Sequence, residues 1–233
     1  MNILLTGASR GIGAAAFEAL TATGHRVAGH STRGGGGLIA GDLADVETPR
    51  LVFGEALERL GGRIDVLVNN AGIYEGVEED ADDDEWDKAW RRTLAVNLES
   101  AASLSRLAIG HFRQFGGGRI VNVASRASYR GDSPRHRHYA ASKAGLIAVT
   151  KTIARAHAAE KIFAFAVAPG FTVSEMTEEY LQGRGGAAIV ADIPLGRVTG
   201  TSEVAEAIRW LAIDAPEAST GSVIDLNGAS HVR

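Results

Sequence analysis

Tyr139 and Lys143 stand four residues apart in Tyr139-Ala140-Ala141-Ser142-Lys143, a spacing that puts two side chains one above the other on a helix face. A phenol and an ammonium placed so make an acid. A free phenol loses its proton at a pH of about 10 and a neighbouring positive charge favours the phenolate, so the expectation is a tyrosine that gives and takes a proton nearer neutrality. The same five residues also describe an ordinary turn of surface helix, and the rest of the chain must decide between the two.

A second group follows the first apolar run: Thr6-Gly7-Ala8-Ser9-Arg10-Gly11-Ile12-Gly13, leading into a helical stretch over 14–23. Glycines let a backbone turn tightly and approach a pyrophosphate, and the free amides of the helix start attract its charge. In a dinucleotide fold an acid about 20 residues further on binds the adenosine ribose, whereas an arginine receives a 2′-phosphate. Here the second apolar run ends His30-Ser31-Thr32-Arg33 with no carboxylate. Arg10 and Arg33 therefore favour NADP(H), NAD(H) remaining possible. Asp42 is placed to accept a hydrogen bond from the adenine amino group, or to serve as a turn residue at a strand end.

Groups so scattered need a scaffold that gathers them. Short apolar runs over 2–6, 26–30, 64–69, 119–124, 162–167 and 222–226 alternate with helical patterns. Ile64-Asp65-Val66-Leu67-Val68 and Arg119-Ile120-Val121-Asn122-Val123 are too uniformly apolar for half-solvated strands and suit a parallel sheet covered on both faces. The expected fold is α/β: a Rossmann-type doubly wound parallel sheet in three layers, a single domain over 1–233, with ligands at the carboxyl ends of the strands. Thr48-Pro49 reads as a capping hydroxyl before a proline at the first helical position. The glycine run 33–37 lacks a P-loop's Gly-Lys-Ser/Thr ending and reads as a shortened strand connection. The acidic run 75–87 reads as a solvated loop and helix start, without the turn glycine of a calcium loop.

Composition narrows the class. The chain has 233 residues, 45% of them apolar, a net charge of -4 and no cysteine. That supports one substantial core, excludes disulfide frameworks and thiolate chemistry, and argues against a nucleic-acid surface. Residues 1–6 have neither the basic flank nor the apolar core of a leader, and no run approaches a membrane span. The expectation is a cytoplasmic protein with a small-molecule ligand, no nucleic-acid or membrane partner and no bound metal; His136 and His138 lack further ligands for one.

With these pieces in order the chain resembles the short-chain dehydrogenase/reductase family, in the compact form that includes the 3-oxoacyl carrier-protein reductases, along nearly its whole length. The resemblance rests on the 6–13 turn, Asn69-Asn70-Ala71-Gly72, Asn97, Ser125, the Tyr139–Lys143 pair and Pro169-Gly170, in that order. It implies that Ser125 holds a carbonyl oxygen, Tyr139 delivers its proton, and Lys143 stabilises the phenolate and binds the nicotinamide ribose. Asn97 holds, through backbone or side chain, a water that links Lys143 to solvent. Ser128, eleven residues before Tyr139 where Ser125 is fourteen, is the alternate serine. The implied cofactor contacts begin at Gly7, Ser9, Arg10, Gly11, Ile12 and Gly13. They continue through Thr32, Arg33, Asp42, Leu43, Asn70, Ala71 and Gly72 to Tyr139, Lys143, Pro169, Gly170, Thr172 and Ser174. Ser174 stands where the family commonly has threonine, and Phe165 where it often has asparagine. Residues 175–193 resemble a variable substrate lid. The basic stretch 130–138 leading into Tyr139 is open to two readings, selection of an anionic substrate or a solvated loop.

The function so implied is NADP(H)-preferring interconversion of a carbonyl, ketone or aldehyde, and an alcohol, by a homo-oligomer, tetramer or dimer. The alternative is a catalytically silent dinucleotide-binding regulatory or scaffold protein of the same fold.

Overall fold

Strands that read as continuous apolar runs must be covered on both faces, and in the computed structural model, which describes residues 1–172 and 186–233, they are. The strands are β1 Asn2–Leu5, β2 Arg26–Ser31, β3 Ile39–Ala40, β4 Val66–Asn69, β5 Gly118–Val123, β6 Ile162–Pro169 and β7 Val223–Leu226. They pair in parallel in the order β3-β2-β1-β4-β5-β6-β7. The order reverses between β1 and β4, which opens a crevice at their carboxyl ends.

The helices are α1 Gly11–Ala22, α2 Thr48–Arg59, α3 Asp83–Leu94, α4 Ser100–Gln114, α5 Ala127–Arg130, α6 Arg137–His157, α7 Gly186–Ala191 and α8 Thr201–Ile213. Ala16 and Leu20 of α1, with Val204, Ile208 and Leu211 of α8, cover one face of the sheet over Ile3, Val68, Val121 and Phe165. Phe53 of α2, Leu104 and Phe112 of α4 and Ile153 of α6 cover the other over Leu4, Leu67 and Ile120. Phe165 is fully buried in the core, a burial worth about 1.5–3 kcal/mol relative to leaving the ring exposed.

Between the sheet and the second helical layer lies a buried polar chain. Asn69 Nδ2 donates to Asn122 Oδ1 at 2.8 Å and to Ser105 Oγ at 3.2 Å, and Asn122 Nδ2 donates to Thr150 Oγ1 at 2.8 Å. Ser105 and Thr150 then return to their own helices at Ala101 O and Leu146 O.

Two local expectations meet different fates. No helix separates β2 from β3, so the glycine run is the short connection its composition suggested. Thr48, by contrast, is not a capping residue: it is the first residue of α2, buried, with Glu47 at the cap position and no side-chain capping bond. Proline in the first turn supplies the start signal by itself. The acidic run ends as a helix start should, Asp82 accepting from Glu85 N at 2.8 Å with three carboxylates in the first turn of α3. Among the described residues no helix is long and apolar enough to cross a membrane, and no cluster of three or more His, Asp or Glu could hold a metal ion.

Candidate active site

A cavity of about 1290 Å³ runs along the carboxyl ends of the strands. Its first wall is the turn after β1. Gly7 has a φ of +68°, and a Cβ there would lie 2.8 Å from Ala71 Cα; a Cβ on Gly13 would collide with the carbonyl oxygen of Gly7. The hydroxyl of Thr6, buried at the tip of β1, accepts from the amides of Asn70 and Ala71, both at 3.0 Å. Asn70 Nδ2 in turn donates to the carbonyls of Thr6 and Gly7. The turn and the 69–72 segment are thus one rigid piece. Arg10 caps α1 without a side-chain bond, and the first turn of α1 holds no acid, which leaves its amides facing the cavity as an anion seat.

At the adenosine end implied by this geometry, Thr32, Arg33, Asp42 and Leu43 line the wall with His30 and Ser31. Neither Arg10 nor Arg33 forms an ion pair among the described residues. Asp42 is less available than its position suggested, since Oδ1 accepts from Ala44 N at 3.0 Å and Oδ2 lies 3.6 Å from Arg92. Arg92 also approaches Glu75, at 3.7 Å.

The reacting end gathers the residues singled out by type. Ser125, two residues beyond β5, accepts from Ala127 N at 3.1 Å and lines the cavity together with Tyr139. Ser128 does not line the cavity; its buried hydroxyl has no partner among the described residues. Lys143, on the same face of α6 as Tyr139, is buried and donates from Nζ to Val123 O at 2.8 Å, with Nζ 5.9 Å from the Tyr139 ring centroid. Pro169, Gly170 and Thr172 close the far wall; Ser174 and residues 175–185 of the expected lid lie outside the described residues. Of the remainder of that segment, α7 is helical, and Ala188 and Asp192 line the cavity.

The proton affinities correct one expectation. Burial pushes the Tyr139 phenol up to about 12, against the opposing pull of the Ser125 hydroxyl, and burial lowers Lys143 to about 8. Desolvation, not the ammonium, dominates the pair. Asn97 does not line the cavity. It sits in a π turn, Ala95–Glu99, between α3 and α4, and its amide clamps Ile73: Oδ1 accepts from Ile73 N at 2.8 Å, and Nδ2 donates to Ile73 O at 3.0 Å and to Ser142 Oγ at 3.2 Å. Both amide hydrogens are committed, which leaves the backbone as its route to a water.

The basic stretch before Tyr139 is not a free cationic surface. Arg135 pairs with Glu78 at 2.8 Å, Arg137 with Glu79, and Arg130 with Asp192 at 3.0 Å. His136 stacks on Tyr74, with ring centroids 3.9 Å apart, and Tyr74 stands edge-on to Tyr139 at 4.7 Å. Tyr74, Arg92, Arg126 and Asp192 all line the cavity without having been marked by a motif. Only Arg126 carried a signal, its place immediately after Ser125 at the rim of a parallel strand.

A doubly wound parallel sheet with a glycine turn after its first strand, and a serine, tyrosine and lysine meeting at the switch point, defines a dinucleotide-dependent oxidoreductase. Residues 7–231 match the family model described as enoyl-(acyl carrier protein) reductase. The 3-oxoacyl-[acyl-carrier-protein] reductases FabG of Salmonella typhimurium and Escherichia coli are each 34% identical over 241 residues, spanning 98% of this chain and 96% of theirs. That of Thermotoga maritima is 39% identical over 173 residues, covering 72% of this chain and 66% of its own. The chain belongs to the short-chain dehydrogenase/reductase family. It is an oxidoreductase of the CH–OH/C=O class that uses NAD(P).

Proposed function

We propose that the chain interconverts a ketone or aldehyde and its alcohol with NADP(H) preferred over NAD(H), Tyr139 carrying the proton. The observation that carries this reading is that Ser125, Tyr139 and a buried Lys143 line the same cavity, with the Ser125 hydroxyl acting on the Tyr139 phenol. Two hydroxyls beside an ammonium suit an oxygen that gains charge.

A bound dihydronicotinamide supplies the hydride. Ser125 donates to the substrate oxygen and holds it against Tyr139, whose phenol transfers its proton as that oxygen becomes an alkoxide. With its phenol pushed up to about 12, Tyr139 is fully protonated at neutral pH, which suits the reductive direction; oxidation needs the phenolate and gains as pH rises. Lys143 stabilises the phenolate, and its proton is restored through water held at the Asn97 backbone. The fit for the cofactor rests on the open amides at the start of α1, with Gly7 and Gly13 keeping the turn flat, and on Asn70, Ala71, Gly72, Pro169, Gly170 and Thr172 along the wall. Preference for a 2′-phosphate rests on Arg10 and Arg33, and on the absence of a carboxylate at the end of β2.

The relatives' name specifies a 3-oxoacyl group, a C=O substrate, whereas the family model's description specifies an enoyl group, a C=C. Ser125, Tyr139 and Lys143 on one cavity wall, a set suited to an oxygen that gains charge, favour the former. Tyr139→Phe is the test. The purified variant should bind NADPH as the wild type does and lose at least about 1,000-fold in carbonyl reduction. Unchanged turnover would sink the assignment, and tight NADPH binding by a wild type inert to a broad carbonyl and alcohol panel would favour the silent scaffold. A dimer or tetramer built on α4 and α6 belongs to the same reading, with light scattering as its check.

A further inference from the structure

Among the described residues Arg126 is the one guanidinium on the cavity wall that is mostly buried yet lacks a close counter-charge. Its backbone N–H donates to Pro169 O at 2.9 Å, which pins it at the rim beside Ser125. Only 12% of its side chain is exposed. The guanidinium lies over the Phe171 ring, 4.8 Å from its centroid, and Nη1 donates to Ser230 Oγ at 2.5 Å. Nε and Nη2 have no acceptor among the described residues.

Among the described residues the neighbouring charges do not balance it. Asp192 Oδ2 is 4.0 Å from Arg126 Nη1 but is already held by Arg130 at 3.0 Å. Asp132, the other acid whose field reaches Arg126, accepts from the Tyr74 hydroxyl at 3.0 Å and from Ser133 N at 2.7 Å. A cation so far withdrawn from water calls for a counter-charge. It also presents two parallel donors, Nε and Nη2, the fork that fits a carboxylate.

We propose that Arg126 is the specificity-determining residue of the substrate site and binds the carboxylate of an oxo acid whose ketone lies at Ser125 and Tyr139. The inference rests on the carbonyl-reductase reading for the second half of that statement only. A guanidinium whose charge is left unbalanced among the described residues selects a monoanion, and the one-residue separation of Ser125 and Arg126 selects a short acid, its carboxylate and ketone reached from adjacent side chains. The other arginines of the basic stretch take no part, being paired with Glu78, Glu79 and Asp192.

The test uses oxohexanoates carrying the ketone at each internal carbon, as free acids and as methyl esters, followed by loss of NADPH absorbance. Calorimetry with hexanoate, which has no ketone to reduce, runs beside it on the chain saturated with NADP+. The wild type should favour at least one acid over its ester by about tenfold or more in kcat/KM. Arg126→Leu should lower that acid-to-ester ratio about 30- to 100-fold and abolish the hexanoate heat, with Arg126→Lys recovering part of both. A wild type that favours the esters, or a ratio that Arg126→Leu leaves unmoved, overturns the proposal, and the wild-type comparison stands even should the leucine variant fail to fold. Esters reduced without preference for acids refute the carboxylate site and leave the reductase reading intact. Hexanoate bound at Arg126 with no ketone reduced does the reverse. A wild type that neither binds hexanoate nor distinguishes acid from ester refutes the site.

Discussion

Removing the Lys143 charge should make the protein more stable while destroying its activity. Burial lowers Lys143 to about 8 from an ordinary value of 10.5, a cost on the order of 3 kcal/mol for holding the charge inside. The sign follows from proton counting. Between pH 8 and 10.5 the unfolded chain holds the lysine proton and the folded chain does not, so stability rises with pH through that window, and the full cost of burying the charge is present below it. Lys143→Met lifts that cost but leaves Val123 O, its acceptor at 2.8 Å, short of a partner at about 1–3 kcal/mol. The net expectation at pH 7 is a gain of about 0–2 kcal/mol. The sharper expectation is its pH dependence, because the lysine's own cost falls from about 3 kcal/mol at pH 7 to about 1 kcal/mol at pH 10. The wild type should therefore gain on the order of 2 kcal/mol on Lys143→Met over that range. Urea unfolding of both chains without cofactor, at the two pH values, reads the difference. A gap between the chains that does not move with pH would refute the reasoning, because it would mean that burial does not shift this lysine.

The remaining expectations are simpler. Gly13→Ala drives a methyl into the Gly7 carbonyl and should weaken NADPH binding by about 100-fold, read by fluorescence titration; an unaltered Kd would show that the turn can yield. Asn122→Leu takes away the donor to Thr150 Oγ1, which keeps its bond to Leu146 O, and one acceptor of Asn69 Nδ2, which keeps Ser105 Oγ, and should cost about 1–3 kcal/mol in urea unfolding, with a loss below about 0.5 arguing that the polar chain is idle. Arg33→Gln should raise the KM for NADPH by about tenfold and leave that for NADH near its starting value; equal shifts in both would remove Arg33 from the 2′-phosphate.

What was legible beforehand is what local pattern records. The strands announce themselves because both of their faces are buried, and β6 in particular is buried at every residue. The glycine turn and the serine, tyrosine and lysine are legible because their chemistry needs those residue types. Three things were not. The π turn at Asn97 keeps a helical hydrophobic pattern and differs only in hydrogen-bond spacing, which side chains do not record. The direction of the Tyr139 shift depends on how much water reaches the hydroxyl, a property of the assembled wall and not of a spacing of four. The basic stretch and the acidic run neutralise each other across 57 residues from Glu78 to Arg135; by itself the acidic run reads as solvated and the basic stretch as either solvated or substrate-selecting, and opposite charge in the two segments was the one available hint.

The amides of Asn69 and Asn122 face one another across β4 and β5 as register partners. Slipping either strand by one residue would turn its amide out of the polar chain and toward the apolar face under α1 and α8, stranding several buried donors and acceptors at once. Only one alignment of the two strands is tolerable. That alignment decides how far Asn70, Ala71 and Gly72, just past the end of β4, stand from Ser125, three residues beyond Asn122. The spacing between the cofactor wall and the reacting serine is therefore gauged from inside the molecule, by a ruler that never touches a ligand, and substitutions there should detune catalysis before any residue of the cavity has changed.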